Sequence, residues 1–331
     1  MKGWNVIAIL MVAMALGACK AELRELCYDH SHMMNVRTNY QWAQSEGENV
    51  KGMTTLFYDT DLPGSEPIRY DFTGREGGTA RLAMGNYQAI GYNNDTETIL
   101  YRGMESLSTL EAYTRRSSVE EGTQLTRAGM PRAVGTEDEP VILEPDMLWE
   151  AHSQQLDLRG VSDTTLTLHT APRVQEIEVY IRNVPNLEYT GQFGGALSGL
   201  ASSVQMESGK PGEQLATQAF TIQVLDQTTL YMRFLTFGHC PHRSEEQVND
   251  HLLTIYAILA DGTKWYYSLN VSKQMHDNKV NPDEPVDPDN PTVPEIEIEI
   301  EGLPLPKPIT NGSGFEPTID GWQTVNIDVT M

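Results

Sequence analysis

The sequence has few basic residues, few cysteines and no long apolar run beyond its first twenty residues. Lysine and arginine number 23 against 46 aspartates and glutamates, which gives a formal net charge of −23. Because so acidic a surface repels nucleic acid and anionic membrane surfaces, we expect no nucleic-acid partner. A membrane-spanning helix needs about 20 consecutive apolar residues. No such segment follows the N-terminus, and we therefore expect a chain that is soluble apart from any attached lipid.

The sequence also lacks the short motifs that mark common catalytic sites. It contains no Gly-x-Ser-x-Gly elbow, no phosphate-binding glycine loop and no His-Glu-x-x-His pair. Paired catalytic carboxylates cannot be singled out among 46 acidic residues. We therefore predict a non-enzymatic protein that binds no cofactor.

The first eighteen residues have the pattern of a secretory signal peptide. An apolar run over residues 6–15 follows a basic residue and precedes a group of small residues. The segment Leu16-Gly17-Ala18-Cys19 resembles the bacterial lipobox, in which the cysteine is acylated and the chain is cut immediately before it. We therefore predict removal of residues 1–18, lipidation of Cys19 and a short tether over residues 19–32. Fatty acyl chains on this cysteine would hold the protein on a membrane.

Two further cysteines, Cys27 and Cys240, allow more than one interpretation. In an exported protein they can form a disulfide that ties the N-terminus to the second half of the chain. The alternative is a zinc site, because imidazole and thiolate groups are zinc ligands and histidines flank both cysteines. These histidines are His30, His32, His239 and His242. Neither segment has a recognised ligand spacing, so we favour a disulfide or a structural role and predict no metal.

Alternation of apolar and polar residues predicts β structure through most of the chain. Short strands at spacings of 8–12 residues, with turn residues between them, favour β-sandwiches. We predict one sandwich over residues 33–140, in which residues 114–140 form a charged loop, and a second over residues 145–279. Residues 280–294 contain five prolines among acidic residues and are predicted to be an extended linker.

Two regular strand patterns follow the linker, within residues 295–331. Residues 295–301 alternate four glutamates with three isoleucines, and residues 322–331 carry apolar side chains on one face. Two such strands bury too little apolar surface to fold alone, so they must complete a sheet of this chain or of a neighbour. We predict that the second is a donor strand, with the following residues in contact with its acceptor: Trp322, Val325, Ile327, Val329 and Met331.

Three segments, 24–32, 68–75 and 85–95, resemble the fimbrillin-like lipoproteins of type V pili, in their uncharacterised branch. The resemblance implies an all-β chain with two tandem transthyretin-like β-sandwich domains. It also implies a lipid anchor in the cell outer membrane and exposure at the cell surface. Partners would be other pilus subunits, or further copies of the chain, joined by strand addition. The assembly would act in adhesion to a host or bacterial surface ligand.

In fimbrillin-like stalk subunits, a protease cuts after an arginine, which releases the first strand and opens a groove for a neighbour's C-terminal strand. Five arginines are positioned for such a cut, namely Arg37, Arg115, Arg116, Arg127 and Arg132. The sequence does not choose between them. The resemblance therefore leaves open whether the chain is a stalk, tip, anchor or accessory subunit.

A second interpretation is a surface or periplasmic lipoprotein that binds glycan or matrix. Aromatic residues on an exposed face, or a concave pocket that holds tyrosine and tryptophan, would favour it. A third is a metal-binding or enzymatic lipoprotein. That interpretation requires these residues to converge on one metal ion: Cys27, His30, His32, Cys240 and His242.

Overall fold

The computed structural model describes residues 33–43, 47, 49–125, 129–160, 163–239, 250–277, 294–308 and 321–327. β-Strands dominate these residues, which confirms the predicted all-β fold. In chain order, strands β1 to β11 are Met33–Gln41, Gly52–Asp59, Ile68–Thr73, Gly77–Ala83, Asn86–Asn93, Ile99–Arg102, Glu111–Thr114, Val141–Ile142, Trp149–Asp157, Thr164–His169 and Ala171–Pro172. Strands β12 to β21 are Gln175–Arg182, Thr190–Ala201, Ser203–Gln205, Leu215–Thr221, Gln223–Val224, Leu230–Thr236, Leu252–Leu259, Lys264–Asn270, Glu295–Glu301 and Trp322–Ile327.

Helical structure in the described residues is limited to short segments. Helix α1 is Val119–Thr123 and helix α2 is Ser272–Asp277, and there are 3₁₀ turns at Leu107–Thr109 and Leu187–Tyr189. None of the helices in this part of the chain is long and apolar enough to cross a membrane.

Two sheets enclose the core of the first sandwich. One has the strand order β10-β1-β4, and the other has the order β11-β9-β5-β2-β3. The facing side chains form one apolar cluster, which includes Val36, Tyr40, Met53, Phe57, Leu82, Tyr87, Leu166 and Leu168. β1 lies in the middle of the smaller sheet, parallel to β10 and antiparallel to β4. The first described strand of the chain is therefore an internal strand.

The second sandwich also consists of two facing sheets. Their strand orders are β16-β17-β12-β20 and β21-β19-β18-β13-β15-β8. The core between them includes Ile177, Val179, Leu197, Phe220, Met232, Phe234, Ile255, Tyr267, Leu269 and Ile298. β20 and β21 are the edge strands of different sheets, so the two C-terminal strands do not pair with each other.

Strand pairing divides the chain differently from the predicted boundaries of 33–140 and 145–279. β9 and β10 lie beyond residue 145, yet they pair with β5 and β1 of the first sandwich. β8 lies between the two predicted ranges and pairs with β15 of the second sandwich. A small sheet of order β14-β7-β6 joins strands from both halves of the sequence. Alternation identifies a strand but not its partner, which is why the sequence pattern does not locate this boundary.

The predicted loop over residues 114–140 contains α1 and covers the outer face of the six-stranded sheet. The Ser118 side chain caps α1 by accepting a hydrogen bond from the backbone N–H of Glu121 at 3.2 Å. An apolar cluster attaches this segment to the sheet, and its members include Val119, Leu125, Met130, Ala196, Ala219, Tyr256 and Tyr266. Gly122 allows the close approach, because a Cβ there would lie 2.6 Å from the Cβ of Ala219.

A buried ion pair lies where the first sandwich meets the second. The side chains of Glu150 in β9 and Arg173 are 1% and 9% exposed, and an Nη2 hydrogen of Arg173 is donated to Glu150 Oε2. Arg173 Nε also donates to the backbone carbonyl of Met206 at 3.1 Å. His152 Nδ1 lies 3.0 Å from the other oxygen of Glu150. This hydrogen bond to a carboxylate raises the pKa of His152, against a smaller opposing effect of burial.

We expect His152 to make stability depend on pH near neutrality. A histidine with a raised pKa binds its proton more tightly in the folded chain than in the unfolded chain. Its contribution is therefore complete below pH of about 6.5, the unfolded value, and is lost as pH rises through the higher folded value. Urea unfolding between pH 5.5 and 8 of wild type and His152→Gln measures this contribution. The difference in unfolding free energy should shrink as pH rises, and a constant difference would contradict the prediction.

Candidate functional site

β20 is an integral part of the second sandwich. It runs parallel to β12 with Ile298 opposite Val179. Its isoleucines, Ile296, Ile298 and Ile300, are 1%, 0% and 3% exposed. Full burial of three such side chains is worth up to about 4.5–9 kcal/mol, at 1.5–3 kcal/mol each. The chain beyond the strand is also fixed, because Tyr267 donates its hydroxyl hydrogen to the Pro304 carbonyl at 3.0 Å.

The outer edge of β20 is protected against further pairing. Its backbone N–H and C=O at Glu299 both bond to the side-chain amide of Gln274 in α2, each at 2.8 Å. The exposed face carries glutamates, and Arg182 pairs with Glu299 at 2.9 Å. Charged side chains and a covering helix are common devices that prevent an edge strand from pairing with another chain. β20 is therefore an unsuitable donor strand.

The side chains of β21 are much less buried than those of β20. It runs parallel to β19 on the open edge of the six-stranded sheet, with Val325 opposite Tyr267. Val325 and Ile327 contact the core but are only partly buried, and Thr324 is exposed. The remaining donor-strand residues, Val329 and Met331, lie outside the described residues. The structure thus places the first half of the predicted donor strand at a sheet edge.

Trp322 at the start of β21 packs against the outer face of this sheet. Its ring lies 5.4 Å from that of Tyr256, with the two planes at 75°. The indole N–H is buried but has no hydrogen-bond acceptor among the described residues.

β1 occupies the position that a cleaved subunit would leave open. Val36, Thr38 and Tyr40 of this strand are at most 1% exposed. The Tyr40 hydroxyl lies 2.6 Å from Thr55 Oγ1 in the opposite sheet, and burial raises the pKa of Tyr40. The strand is therefore held by both of its neighbours and by the facing sheet.

The candidate cleavage sites do not release β1 cleanly. Arg37 is exposed but lies within β1, so a cut after it would divide an internal strand. Arg115, Arg116 and Arg132 follow β7, and Arg127 lies outside the described residues. Arg132 is held in place, because its Nη1 donates to the Glu139 carbonyl at 2.6 Å. A cut in this region would separate seven strands from the rest of the chain instead of removing one.

Several predicted site residues cannot be placed. Cys19, Cys27, Cys240, His30, His32 and His242 all lie outside the described residues, so lipidation and the disulfide stay predictions. His239 is described, and it lies beside two histidines that the sequence pattern did not single out, His251 and His276. No motif joins these three, because they are separated by 12 and 25 residues.

A cleft of about 350 Å³ opens beside β2 and β3 in the first sandwich. Its lining residues are Leu56, Gly64, Ser65, Glu66, Pro67, Arg69, Met104 and Glu105. None of them is a tyrosine or a tryptophan. The cleft therefore lacks the aromatic lining that would favour a glycan site.

Two β-sandwiches, with a partly buried C-terminal strand at a sheet edge, agree with the all-β architecture that the resemblance to fimbrillin-like proteins implies. A Bacteroides ovatus protein named "Putative fimbrium anchoring subunit Fim4B" is 21% identical to this chain over 343 aligned positions, which cover 96% of this chain and 95% of that protein. This similarity confirms the predicted resemblance. The chain belongs to the family described as Domain of unknown function (DUF5119), whose model matches residues 18–221.

One solved structure shows a similar fold, and a second is reported beside it. A crystal structure of a putative adhesin from Bacteroides ovatus superposes with a TM-score of 0.57 at 21% identity, over 83% of this chain and 94% of that chain. The fimbrial anchor protein Mfa2 from Porphyromonas gingivalis is 12% identical, with a TM-score of 0.49 over 81% of this chain and 90% of that chain.

Proposed function

We propose that this chain is the lipid-anchored base subunit of a surface fimbrium, which keeps its own first strand and donates its C-terminal strand to the next subunit. The main observation behind the proposal is that the two C-terminal strands are buried to different extents. β20 is buried and its edge is covered, whereas β21 is partly exposed on an open edge. The similarity to a relative named as a fimbrium anchoring subunit supports the same role.

The membrane attachment in this proposal is the acylated Cys19. The family model begins at residue 18, beside the predicted cleavage point, which supports a mature chain that starts there. Residues 19–32 would connect the lipid to β1. A fully extended chain covers about 3.3–3.6 Å per residue, so these fourteen residues could hold the first sandwich up to roughly 50 Å from an outer-membrane surface.

A base subunit needs a closed acceptor site and an available donor strand. Because β1 fills the centre of its sheet, the first sandwich needs no strand from a neighbour to complete it. β21 makes only part of the contacts that its sequence permits. A groove that fully buried Val325, Ile327, Val329 and Met331 would contribute up to about 6–12 kcal/mol, at 1.5–3 kcal/mol each. This burial would offset the loss of the pairing with β19 and of the core contacts that Val325 and Ile327 make at their own edge.

The chemistry of this role is non-covalent and requires no catalytic group. Backbone hydrogen bonds supply the affinity of an added strand, and alternating side chains select the groove. Adhesion then belongs to the assembled fimbrium, and the chain contributes to it by holding the fimbrium at the cell surface.

Deletion of residues 321–331 is expected to detach fimbriae from cells while leaving the subunit folded. The physical reason is that β21 contributes little to its own sandwich but supplies the strand for its neighbour. Cell-bound and released fimbriae can be separated by centrifugation and quantified by immunoblot, and folding can be followed by thermal unfolding of the purified subunit. We expect most fimbrial material to move to the medium and the midpoint of unfolding to change by a few degrees at most.

Two controls make the result specific. The exposed-face variant Thr324→Ser should behave as wild type, whereas Val325→Asn combined with Ile327→Asn should reproduce the deletion at full chain length.

Mass spectrometry of the wild-type protein from cells should find an intact chain that begins at acylated Cys19. Normal attachment by the deletion variant, or a chain cut after an arginine, would contradict the proposal.

A further inference from the structure

Three histidines meet at one end of the second sandwich. His239 follows β17, His251 immediately precedes β18 and His276 belongs to α2. Their ring centroids lie 5.6 Å apart for His239 and His251, 5.4 Å for His239 and His276, and 5.0 Å for His251 and His276. One ring nitrogen from each lies within 4.8 Å of those of the other two. We infer that these three imidazoles form a binding site for a divalent zinc ion.

The surroundings of His251 support a ligand role. His239 and His251 are only 4% and 0% exposed, so the cluster lies inside the fold. His251 Nδ1 is 3.1 Å from the backbone carbonyl of Ser198. A carbonyl oxygen only accepts hydrogen bonds, so in the neutral imidazole this contact places the hydrogen on Nδ1 and leaves the lone pair on Nε2. Ligand histidines in metalloproteins typically donate their second ring N–H to a carbonyl or carboxylate in this way.

The backbone beside the cluster is shaped to accommodate the ring. Gly199 has φ of +77°, and a Cβ at this position would lie 2.7 Å from His251 Nδ1 and 2.6 Å from the Asp250 carbonyl oxygen. Only glycine adopts this conformation readily and leaves the space that the imidazole occupies. The chain therefore passes close over the ring and fixes its orientation.

The donor set is best suited to zinc. Zinc binds histidine nitrogens at about 2.0–2.1 Å in tetrahedral geometry, which places the nitrogens about 3.3–3.4 Å apart. Zinc binding would draw the three nitrogens together from separations of at most 4.8 Å. Three protein ligands leave the fourth position for water or another donor. The formal net charge of −23 also raises the local concentration of divalent cations.

Zinc at this site would stabilise the position of β20. It would join the end of β17 and the start of β18 to α2 through His276. Two residues earlier in α2, Gln274 bonds both backbone groups of Glu299 in β20. The metal would therefore fix the helix that covers the outer edge of β20. This role is independent of whether β21 is donated to a neighbour.

Zinc titration of the purified full-length protein tests the inference. After removal of any affinity tag and of bound metal with a chelator, isothermal titration with zinc chloride should show one strong site, and zinc should raise the unfolding temperature. His251→Gln and His276→Gln should each weaken binding at least about tenfold. Hydrogen exchange should show that zinc slows exchange of the Glu299 amide, and that this effect is lost in His276→Gln.

The variants separate a metal site from general misfolding. His276 is only partly buried, so His276→Gln should fold even where the change at His251 does not. The matched histidine variants His152→Gln and His169→Gln lie away from the cluster and should bind zinc as wild type does. Absence of zinc binding by the wild-type protein, or equal binding by His276→Gln, would overturn the inference.

Discussion

Replacement of Ile298 by alanine is expected to lower the free energy of unfolding of the second sandwich by about 2–5 kcal/mol. Ile298 is fully buried in β20, at the centre of a core that includes both sheets. Whole domains are stable by only about 5–15 kcal/mol, so this loss is a large part of the total. Val325→Ala in β21 should cost roughly 1 kcal/mol or less, because its side chain is only partly buried.

Thermal and urea unfolding of the two variants measure this contrast. A cost of 2–5 kcal/mol corresponds to a decrease of roughly 4–20 °C in the unfolding temperature of a domain of this size. Glu297→Gln, on the exposed face of β20, serves as the control and should unfold close to wild type. Equal destabilisation by Ile298→Ala and Val325→Ala would show that β21 is as integral as β20 and would remove the basis for strand donation.

This contrast explains how one chain can have two similar C-terminal strand patterns with different roles. β20 has a covered edge and three buried isoleucines, so its release would expose a large apolar surface to water. The side chains of Val325 and Ile327 in β21 are only partly buried, and the indole N–H of Trp322 has no acceptor among the described residues. Under the proposed function, β20 completes the second sandwich and β21 is the strand that is released to a neighbour.

The sequence predicts the strands themselves well where one face is buried. The alternating residues of β20 have the period of two that a strand requires, and the structure places the three isoleucines in the core. The same pattern identifies β1 and β12. Because burial of one face causes the alternation, the sequence records which residues point inward and hence where each strand lies.

The alternation of apolar and polar residues does not predict which strands pair with each other. The pairing of β1 with β10 joins Val36 to Thr164, across 128 positions, and no local pattern indicates it. α1 escapes sequence analysis for a different reason, since five residues give little more than one turn of helical periodicity.

The candidate metal site could not be predicted from the sequence for the same reason, because its three histidines are distant from one another along the chain. The sequence drew attention to His239 through its neighbours Cys240 and His242, but the histidines that meet it come from two other elements. The sequence pattern places His251 at the start of an apolar strand. It places His276 in a polar segment beside the linker. Only the packing of α2 against the end of the second sandwich brings the three together.

Deletion of β1, residues 33–41, is expected to unfold the first sandwich. Its removal leaves β10 and β4 without a partner between them and exposes the apolar side chains that it covers, including Leu82, Leu166 and Leu168. The lost burial of Val36 and Tyr40, together with two rows of backbone hydrogen bonds, exceeds the usual stability of a domain. Trp149 is buried in this half of the molecule, so its fluorescence and the resistance of β2 to proteolysis report the loss.

A matched deletion of residues 20–32 removes a segment of similar length from the tether and should leave unfolding unchanged. A shortened chain that unfolds cooperatively near the wild-type temperature would contradict the prediction. It would show that the first sandwich tolerates an open groove, in which case the chain could accept a strand as well as donate one. The expected unfolding instead means that β1 must be retained for the subunit to stay folded, which is what the proposed role as a base subunit requires.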